Sequence, residues 1–371
     1  MIDALLVAET LPANGRELSA AGFVVMALFA ASCAVWPWLV FKWRRGESPI
    51  PRAPRSDVPW HFPEVLFAIA LVLTLAIASA LFAPDSEKTV TADSLAFGML
   101  ESAAFYAGLA AMVAALLVFV RRANRRDLGI RLKLPGDFVY GGLGWLAALA
   151  PVYGLQIALV KLVASDRKPH PLIEMLIRDR RVDLLALAVI SAVIIAPAVE
   201  EFLFRVLLQG WLEKHFSPQG VARIAPASPD GLPHEEAAPR PVDTTPAATL
   251  DATFGIAPPR LAPFTANDLP SNDPSNPFAS PQSDLSEPRS TASPPHQARE
   301  INSLRRAAPI VISSVLFAAA HAGTWPDPVP LFVLALVLGY VYRQTHRLWP
   351  SVLLHMLFNG SSLAMVWFGA D

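Results

Sequence analysis

Residues 197–205 read Pro-Ala-Val-Glu-Glu-Phe-Leu-Phe-Arg, and they place charge inside an apolar run long enough to span a membrane. A charged side chain at the centre of a bilayer costs about 2.5–3.5 kcal/mol on insertion scales, so such residues usually mark a functional cluster. Helix positions i and i+4 share a face, which predicts an ion pair between Glu201 and Arg205. Glu200 is turned about a quarter of a circle away. The spacing predicts a structural carboxylate, Glu201, beside a working one, Glu200.

The composition predicts a multi-pass membrane protein. Of 371 residues, 53% are hydrophobic and 16% are charged, whereas soluble proteins carry about 25% charged residues. The apolar residues form blocks of about 20 or more, the length that spans a bilayer. We therefore expect an all-α bundle of about eight transmembrane helices in the cell membrane, with a polar catalytic cavity inside it. In the fourth span, the small residues Gly141, Gly142 and Gly144 predict close helix packing.

Charge and cysteine content exclude other classes. The net charge of −1 gives no indication of a nucleic-acid partner. The single cysteine, Cys33, allows no intrachain disulfide and no four-cysteine zinc site. The loops after the first, third and seventh spans are basic, which predicts that they lie on the cytoplasmic side. The partner that these features indicate is therefore the lipid bilayer, and no nucleic acid is expected.

The chain divides into four regions. Residues 1–182 hold about four spans and a short amphipathic interfacial helix at 171–181, and residues 183–216 hold the fifth span with the Glu-Glu pair. Residues 217–302 are rich in Pro, Ser and Ala, and such a segment is expected to be disordered because it cannot bury enough apolar area. We interpret it as a tolerated insertion, with a tethering role as the alternative. Residues 303–371 hold the last three spans.

Few other strongly polar side chains lie in the predicted spans of the second half of the chain. They are His321 at the end of the sixth span, and His355 and Asn359 on one face of the eighth. Taken singly, they are typical of an interfacial histidine and of hydrogen bonds between helices. Together with Glu200, they make a hydrolytic set in which a carboxylate or imidazole activates water and neutral donors stabilise an oxyanion. The same groups can hold a metal ion with an open position for water.

Three motifs carry a resemblance to a known family. Glu-Glu-Phe-Leu-Phe-Arg at 200–205, Phe-Ala-Ala-Ala-His at 317–321 and His-Met-Leu-Phe-Asn at 355–359 resemble the ordered EExxxR, FxxxH and HxxxN motifs of the CAAX-protease and bacteriocin-processing family. These proteins are intramembrane endopeptidases and include the type II CAAX prenyl proteases. The resemblance covers about 183–369 without the insertion. It departs at Val206, where glycine is frequent, and in the length of the insertion.

The resemblance implies a role for each matched residue. Glu200 and His321 would activate the attacking water, and His355 and Asn359 would stabilise the oxyanion. The predicted ion pair would hold its helix and orient the site. The substrate would be a peptide or protein, lipidated in the prenyl-protease branch of the family.

The cofactor has two interpretations. A metal ion such as zinc could be bound by Glu200, His321 and His355. A glutamate peptidase would need no cofactor, and this interpretation is favoured because Asn359 is a poor metal ligand and a good oxyanion donor.

Two functions from other classes compete with proteolysis. A proton-coupled transporter could use Glu200 and the histidines as a relay, but the sequence shows no internal repeat in its support. A non-catalytic membrane scaffold could bind partners through residues 217–302. The intact motif residues argue against the scaffold.

Overall fold

A computed structural model of the protein describes residues 20–54, 57–81, 91–163, 171–216 and 295–369. Every regular element in these ranges is helical. The described residues within 20–216 and 299–369 belong to one compact unit. Of a second unit, only 295–298, the start of one helix, is described. The predicted disorder of residues 217–294 lies outside the described residues.

Nine helices are present in the described ranges. Their bounds are α1 Ala20–Arg44, α2 Phe62–Leu81, α3 Ala92–Phe119, α4 Gly136–Val163, α5 Pro171–Arg178, α6 Val182–Phe216, α7 Pro295–Ala320, α8 Pro328–Thr345 and α9 Leu348–Gly369. Six of them are long and apolar enough to cross a membrane, namely α1, α3, α4, α6, α8 and α9. The expected all-α, polytopic membrane fold is confirmed, and the short helix predicted at 171–181 is α5.

The start of helix α7 differs from the predicted boundary at residue 302. It begins at Pro295, inside the segment 217–302 that was expected to be disordered. Proline is tolerated in the first helical turn, and the Gln-Ala-Arg-Glu run that follows, at 297–300, consists of helix formers. The apolar part of α7 is only 307–320, about 21 Å at 1.5 Å per residue. This is shorter than the roughly 30 Å hydrocarbon core, so α7 is not among the six spanning helices.

Helix α4 packs against α1, α8 and α9. A Cβ atom built on Gly144 would lie 2.4 Å from Leu354 Cδ1, and one on Gly141 would lie 2.9 Å from the Pro350 carbonyl oxygen. Gly141 is therefore needed because the backbone of α9 lies too close for a side chain, and Gly144 makes room for the side chain of Leu354. The prediction of close helix packing is wrong for Gly142, because a Cβ atom there would meet no described atom within 4 Å.

Helix α6 changes its winding on either side of the two glutamates. It runs as a π-helix at Val189–Ile195, as an α-helix at Ala196–Glu201 and as a π-helix again at Phe202–Gln209. In the first π segment the Ala196 N–H donates to the Ser191 carbonyl five residues back. Such wide turns are frequent at functional sites. Pro197 lies in the short α-helical part between the two π-helical segments.

Candidate active site

Glu201 and Arg205 form the ion pair that their spacing predicts. Arg205 Nε lies 3.2 Å from Glu201 Oε2, and both side chains are fully buried. A second guanidinium nitrogen of Arg205 donates to Ser313 Oγ at 3.2 Å, and the guanidinium carbon lies 5.5 Å from the centre of the Phe317 ring. A buried charge is tolerated only when a partner and further hydrogen bonds compensate it. These contacts connect α6 to α7.

Gln209, Ser313 and Gly339 form a second layer of contacts next to Arg205. This layer was not predicted from the sequence. Buried Gln209 accepts from Ser313 Oγ at 3.4 Å and donates to the Gly339 carbonyl of α8 at 2.9 Å. A Cβ on Gly339 would lie 3.0 Å from Gln209 Oε1. Gln209 follows Arg205 by four residues and Ser313 precedes Phe317 by four. The signal was therefore present, because polar residues one turn from motif residues share their helix face.

His355 lies between the two carboxylates. Its Nδ1 is 3.1 Å from Glu201 Oε1, and its Nε2 is 3.8 Å from Glu200 Oε2. The first distance is a hydrogen bond, with the ring nitrogen donating to the carboxylate. The second is an ion-pair distance without a hydrogen bond. Glu201 therefore compensates two groups, Arg205 and His355, and the contact to His355 joins α6 to α9.

Glu200 differs from its neighbour in exposure. Its side chain is 28% exposed, whereas that of Glu201 is 0% exposed. The difference follows from the turn of about 100° between successive residues of a helix. Glu200 is therefore the carboxylate of this cluster that water can reach.

His321 lies next to the cluster at the end of α7. Its Nδ1 is 2.9 Å from the Phe317 carbonyl oxygen, which can only accept a hydrogen bond. The Nδ1 atom therefore carries the proton in the neutral ring, and Nε2 is left as an acceptor. The Phe317 ring centre lies 5.0 Å from that of His321 and 5.8 Å from that of His355. Phe317 thus contacts both imidazoles.

Asn359 bonds to the backbone of α6. Its Nδ2 donates to the Ala192 carbonyl at 2.9 Å. In the π-helical pattern the partner of this carbonyl would be the N–H of residue 197, and Pro197 has none. Asn359 supplies the missing donor, and its amide group retains a second N–H.

Glu200, His321 and His355 are the three candidate metal ligands predicted from the sequence. In the described ranges, no group of three or more His, Cys, Asp or Glu side chains is arranged to hold a metal ion. The Nδ1 atoms of His321 and His355 are both engaged by protein acceptors. A histidine that binds a metal usually donates its other ring N–H to a protein acceptor, so these bonds leave the Nε2 atoms as the nitrogens that could bind a metal.

The helices and the site define a multi-pass membrane protein with carboxylate and imidazole groups between its helices. The family model described as Type II CAAX prenyl endopeptidase Rce1-like matches residues 182–255 and 296–361, which contain all three motifs. These segments belong to the CAAX-protease family of membrane endopeptidases, and the resemblance is confirmed. Members of such a family act on peptides or proteins. No curated protein and no solved structure matches the chain.

Proposed function

We propose that this protein is an intramembrane endopeptidase that hydrolyses a peptide bond with water activated by Glu200. The observation that carries the proposal is the asymmetry of the two glutamates. Glu201 is closed off by Arg205 and His355, whereas Glu200 is exposed and makes no hydrogen bond among the described residues. A positioned carboxylate that can reach water is suited to act as a general base.

The reaction can be written through the side chains alone. Glu200 takes a proton from water, and the hydroxide formed attacks the carbonyl carbon of the scissile peptide bond. The carbonyl oxygen becomes an oxyanion as the tetrahedral intermediate forms. Glu200 then gives its proton to the leaving nitrogen, the C–N bond breaks, and an acid and an amine are released. The exposed side of Glu200 leaves room for the water and the substrate.

His321 is proposed to help orient the water. Its Nε2 is the acceptor left after Nδ1 donates to the Phe317 carbonyl. An acceptor at this position can take one hydrogen of the water while Glu200 takes the other. The end of α7 places this ring beside Phe317, which also contacts His355.

His355 and Asn359 are proposed to donate to the oxyanion. The Nε2 atom of His355 points toward Glu200, at 3.8 Å, so an N–H there lies beside the reacting carbon. Donation from both ring nitrogens requires the protonated imidazolium. The bond to Glu201 fixes the ring orientation, as a carboxylate does for the histidine of a catalytic triad. The second N–H of Asn359 is the other donor.

The substrate is proposed to be a peptide or protein segment that approaches from the bilayer, including lipidated C-termini. On α6, just before the glutamates, the large apolar side chains of Val189, Ile190 and Ile194 are 37%, 48% and 44% exposed. An apolar surface beside the site suits a substrate with an apolar chain. We propose the cell membrane as the location.

Cleavage of a peptide library by the purified full-length protein tests the function. The library includes matched peptides with and without a C-terminal prenyl group. We expect the wild type to cleave and both Glu200→Ala and His321→Ala to be inactive. Cleavage that survives both substitutions would overturn the proposed mechanism. Proton-driven uptake in proteoliposomes without cleavage would instead support the transporter.

The proposed reaction requires no metal, and a chelator tests this. We expect treatment with EDTA to leave the cleavage rate unchanged and the active preparation to hold less than one metal ion per chain. Loss of activity with EDTA and its recovery with zinc would favour the alternative site formed by Glu200, His321 and His355.

A further inference from the structure

Two adjoining cavities lie at one end of the bundle, and none of the residues that line them belongs to the three motifs. Their volumes are about 380 Å³ and 300 Å³. They are formed where the loops after α1, after α3 and between α8 and α9 meet. Both cavities are lined by Ala53, Pro54, Lys133, Thr345 and Arg347, so they lie side by side. We refer to the two cavities together as the basic cleft.

The charge of the cleft has one dominant sign. Its permanently basic lining residues are Arg52, Arg126, Arg131, Lys133 and Arg347, and Asp127 is the acidic lining residue. Arg347 is already paired with buried Asp137, with Nε 2.6 Å from Oδ1. Among the described residues, no salt bridge involves the other four basic side chains. Four cations are therefore left to bind an external anion.

Backbone contacts hold the walls of the cleft in place. The Ala53 N–H donates to the Gln344 carbonyl at 2.7 Å, and the Leu348 N–H donates to the Gly129 carbonyl at 2.9 Å. Gly129 has a φ of +66°, and a Cβ there would lie 3.1 Å from Leu348 N. Only glycine suits this left-handed position at such a close approach. The cleft is therefore formed before any ligand binds.

The outer edge of the cleft is apolar. Residues 130–134 read Ile-Arg-Leu-Lys-Leu, and their exposed apolar members, Ile130, Leu132 and Leu134, are 38%, 51% and 64% exposed. Leu134 also lines the first cavity, together with Lys133. Trp349, 41% exposed, donates to the Ile130 carbonyl at 3.0 Å. Tryptophan is enriched at membrane interfaces.

We propose that the basic cleft binds the phosphate group of an anionic phospholipid. Basic pockets between transmembrane helices on the cytoplasmic side are suited to lipid headgroups, and the three loops that meet here are those whose charge predicts that side. The segment 130–134, which combines basic and exposed apolar side chains, favours a lipid over a free phosphate ion. Its basic side chains can contact the phosphate while its apolar ones contact the acyl chains of the same molecule.

Native mass spectrometry of the full-length protein with added lipid tests this proposal. The probes are phosphatidylglycerol, phosphatidylcholine and inorganic phosphate. We expect the wild type to bind phosphatidylglycerol more tightly than phosphatidylcholine, and Arg131→Gln/Lys133→Gln to weaken phosphatidylglycerol binding about 30-fold. This is about fivefold for each basic residue, which corresponds to about 1 kcal/mol near an anionic surface. Arg52→Gln alone should weaken it about fivefold, and it serves as the second variant if the double variant does not fold.

The matched control is Arg122→Gln/Arg125→Gln. It makes the same change in charge in the same loop, but neither residue lines the cleft. We expect the control to retain most of the affinity for phosphatidylglycerol. An equal loss in both double variants would overturn the site, because it would show a general charge effect. Equal binding of the two lipids, or binding of inorganic phosphate as tight as that of phosphatidylglycerol, would overturn the assignment to an anionic lipid.

Discussion

The buried cluster on α6 and the basic cleft differ in how far their charged side chains are paired with groups of opposite charge. Inside the bundle, Arg205 forms an ion pair with Glu201 at 3.2 Å, and His355 forms a hydrogen bond with the same carboxylate at 3.1 Å. In the cleft, Arg52, Arg126, Arg131 and Lys133 line the two cavities with one acidic lining residue. An apolar interior tolerates charge only when it is compensated, whereas an aqueous interface tolerates charges of one sign. In the interior, the least compensated carboxylate, Glu200, is therefore the one that we propose to be catalytic. At the interface, uncompensated cations indicate a ligand.

Arg205→Met should give the largest change in stability. It leaves the fully buried Glu201 with His355 as its remaining partner, and breaking a buried ion pair costs about 3–5 kcal/mol. We expect the free energy of unfolding, measured by denaturant titration in detergent, to fall by about that amount. Arg131→Met in the cleft is the matched control and should change it by less than about 0.5 kcal/mol. Similar losses of unfolding free energy for both variants would show that charge is no more tightly compensated in the buried cluster than in the cleft.

Gly339→Ala should have the next largest effect. The added Cβ would lie 2.9 Å from Ile310 Cγ2 and 3.0 Å from Gln209 Oε1, below the layer that supports Arg205. Overpacking of this kind costs about 1–3 kcal/mol. We expect a lower midpoint of thermal unfolding. Gly142→Ala adds the same atom where nothing described lies within 4 Å, and it should leave the midpoint unchanged or raise it. An unchanged midpoint for Gly339→Ala would show that the layer formed by Gln209, Ser313 and Gly339 is loosely packed.

Ser313→Ala should have the smallest of these effects. It removes the hydroxyl that accepts from Arg205 at 3.2 Å, and a lost hydrogen bond to a charged group costs about 1.5–3 kcal/mol, less any gain from a replacement water. We therefore expect a loss of about 1 kcal/mol in the free energy of unfolding. Thr74→Ala removes an exposed hydroxyl on α2 and should leave this free energy within about 0.5 kcal/mol. Equal losses of unfolding free energy in the two variants would contradict a role for Ser313 in stabilising the buried charge of Arg205.

The sequence could predict contacts within one helix because a helix has a fixed geometry. Four residues separate Glu201 from Arg205, so their pairing follows from the helix itself. The bond between Glu201 and His355 crosses 154 positions and depends on how α6 packs against α9. The donation from Asn359 to Ala192 depends on the π-helical winding before Pro197, which apolar periodicity does not reveal.

The same limit applies to the fold and to the basic cleft. The lengths of the apolar blocks predicted the helices, because a bilayer requires long apolar segments with internally satisfied backbones. The start of α7 was missed because polar, proline-containing sequence before residue 303 resembles a loop. The charge of the loops predicted their side of the membrane. Loop charge could not predict that the Leu348 N–H donates a hydrogen bond to the Gly129 carbonyl and so joins two walls of the cleft.

The most direct test of the account compares Glu200→Gln with Glu201→Gln, measuring peptide cleavage and thermal unfolding on the same preparations. We expect Glu200→Gln to lower the cleavage rate by about 10²–10⁴-fold, the contribution of a general base, with an unchanged unfolding midpoint. Glu201→Gln should lower the unfolding midpoint, because Arg205 and His355 lose their shared charge partner. Cleavage at the wild-type rate by Glu200→Gln would contradict the assignment of Glu200 as the group that activates water.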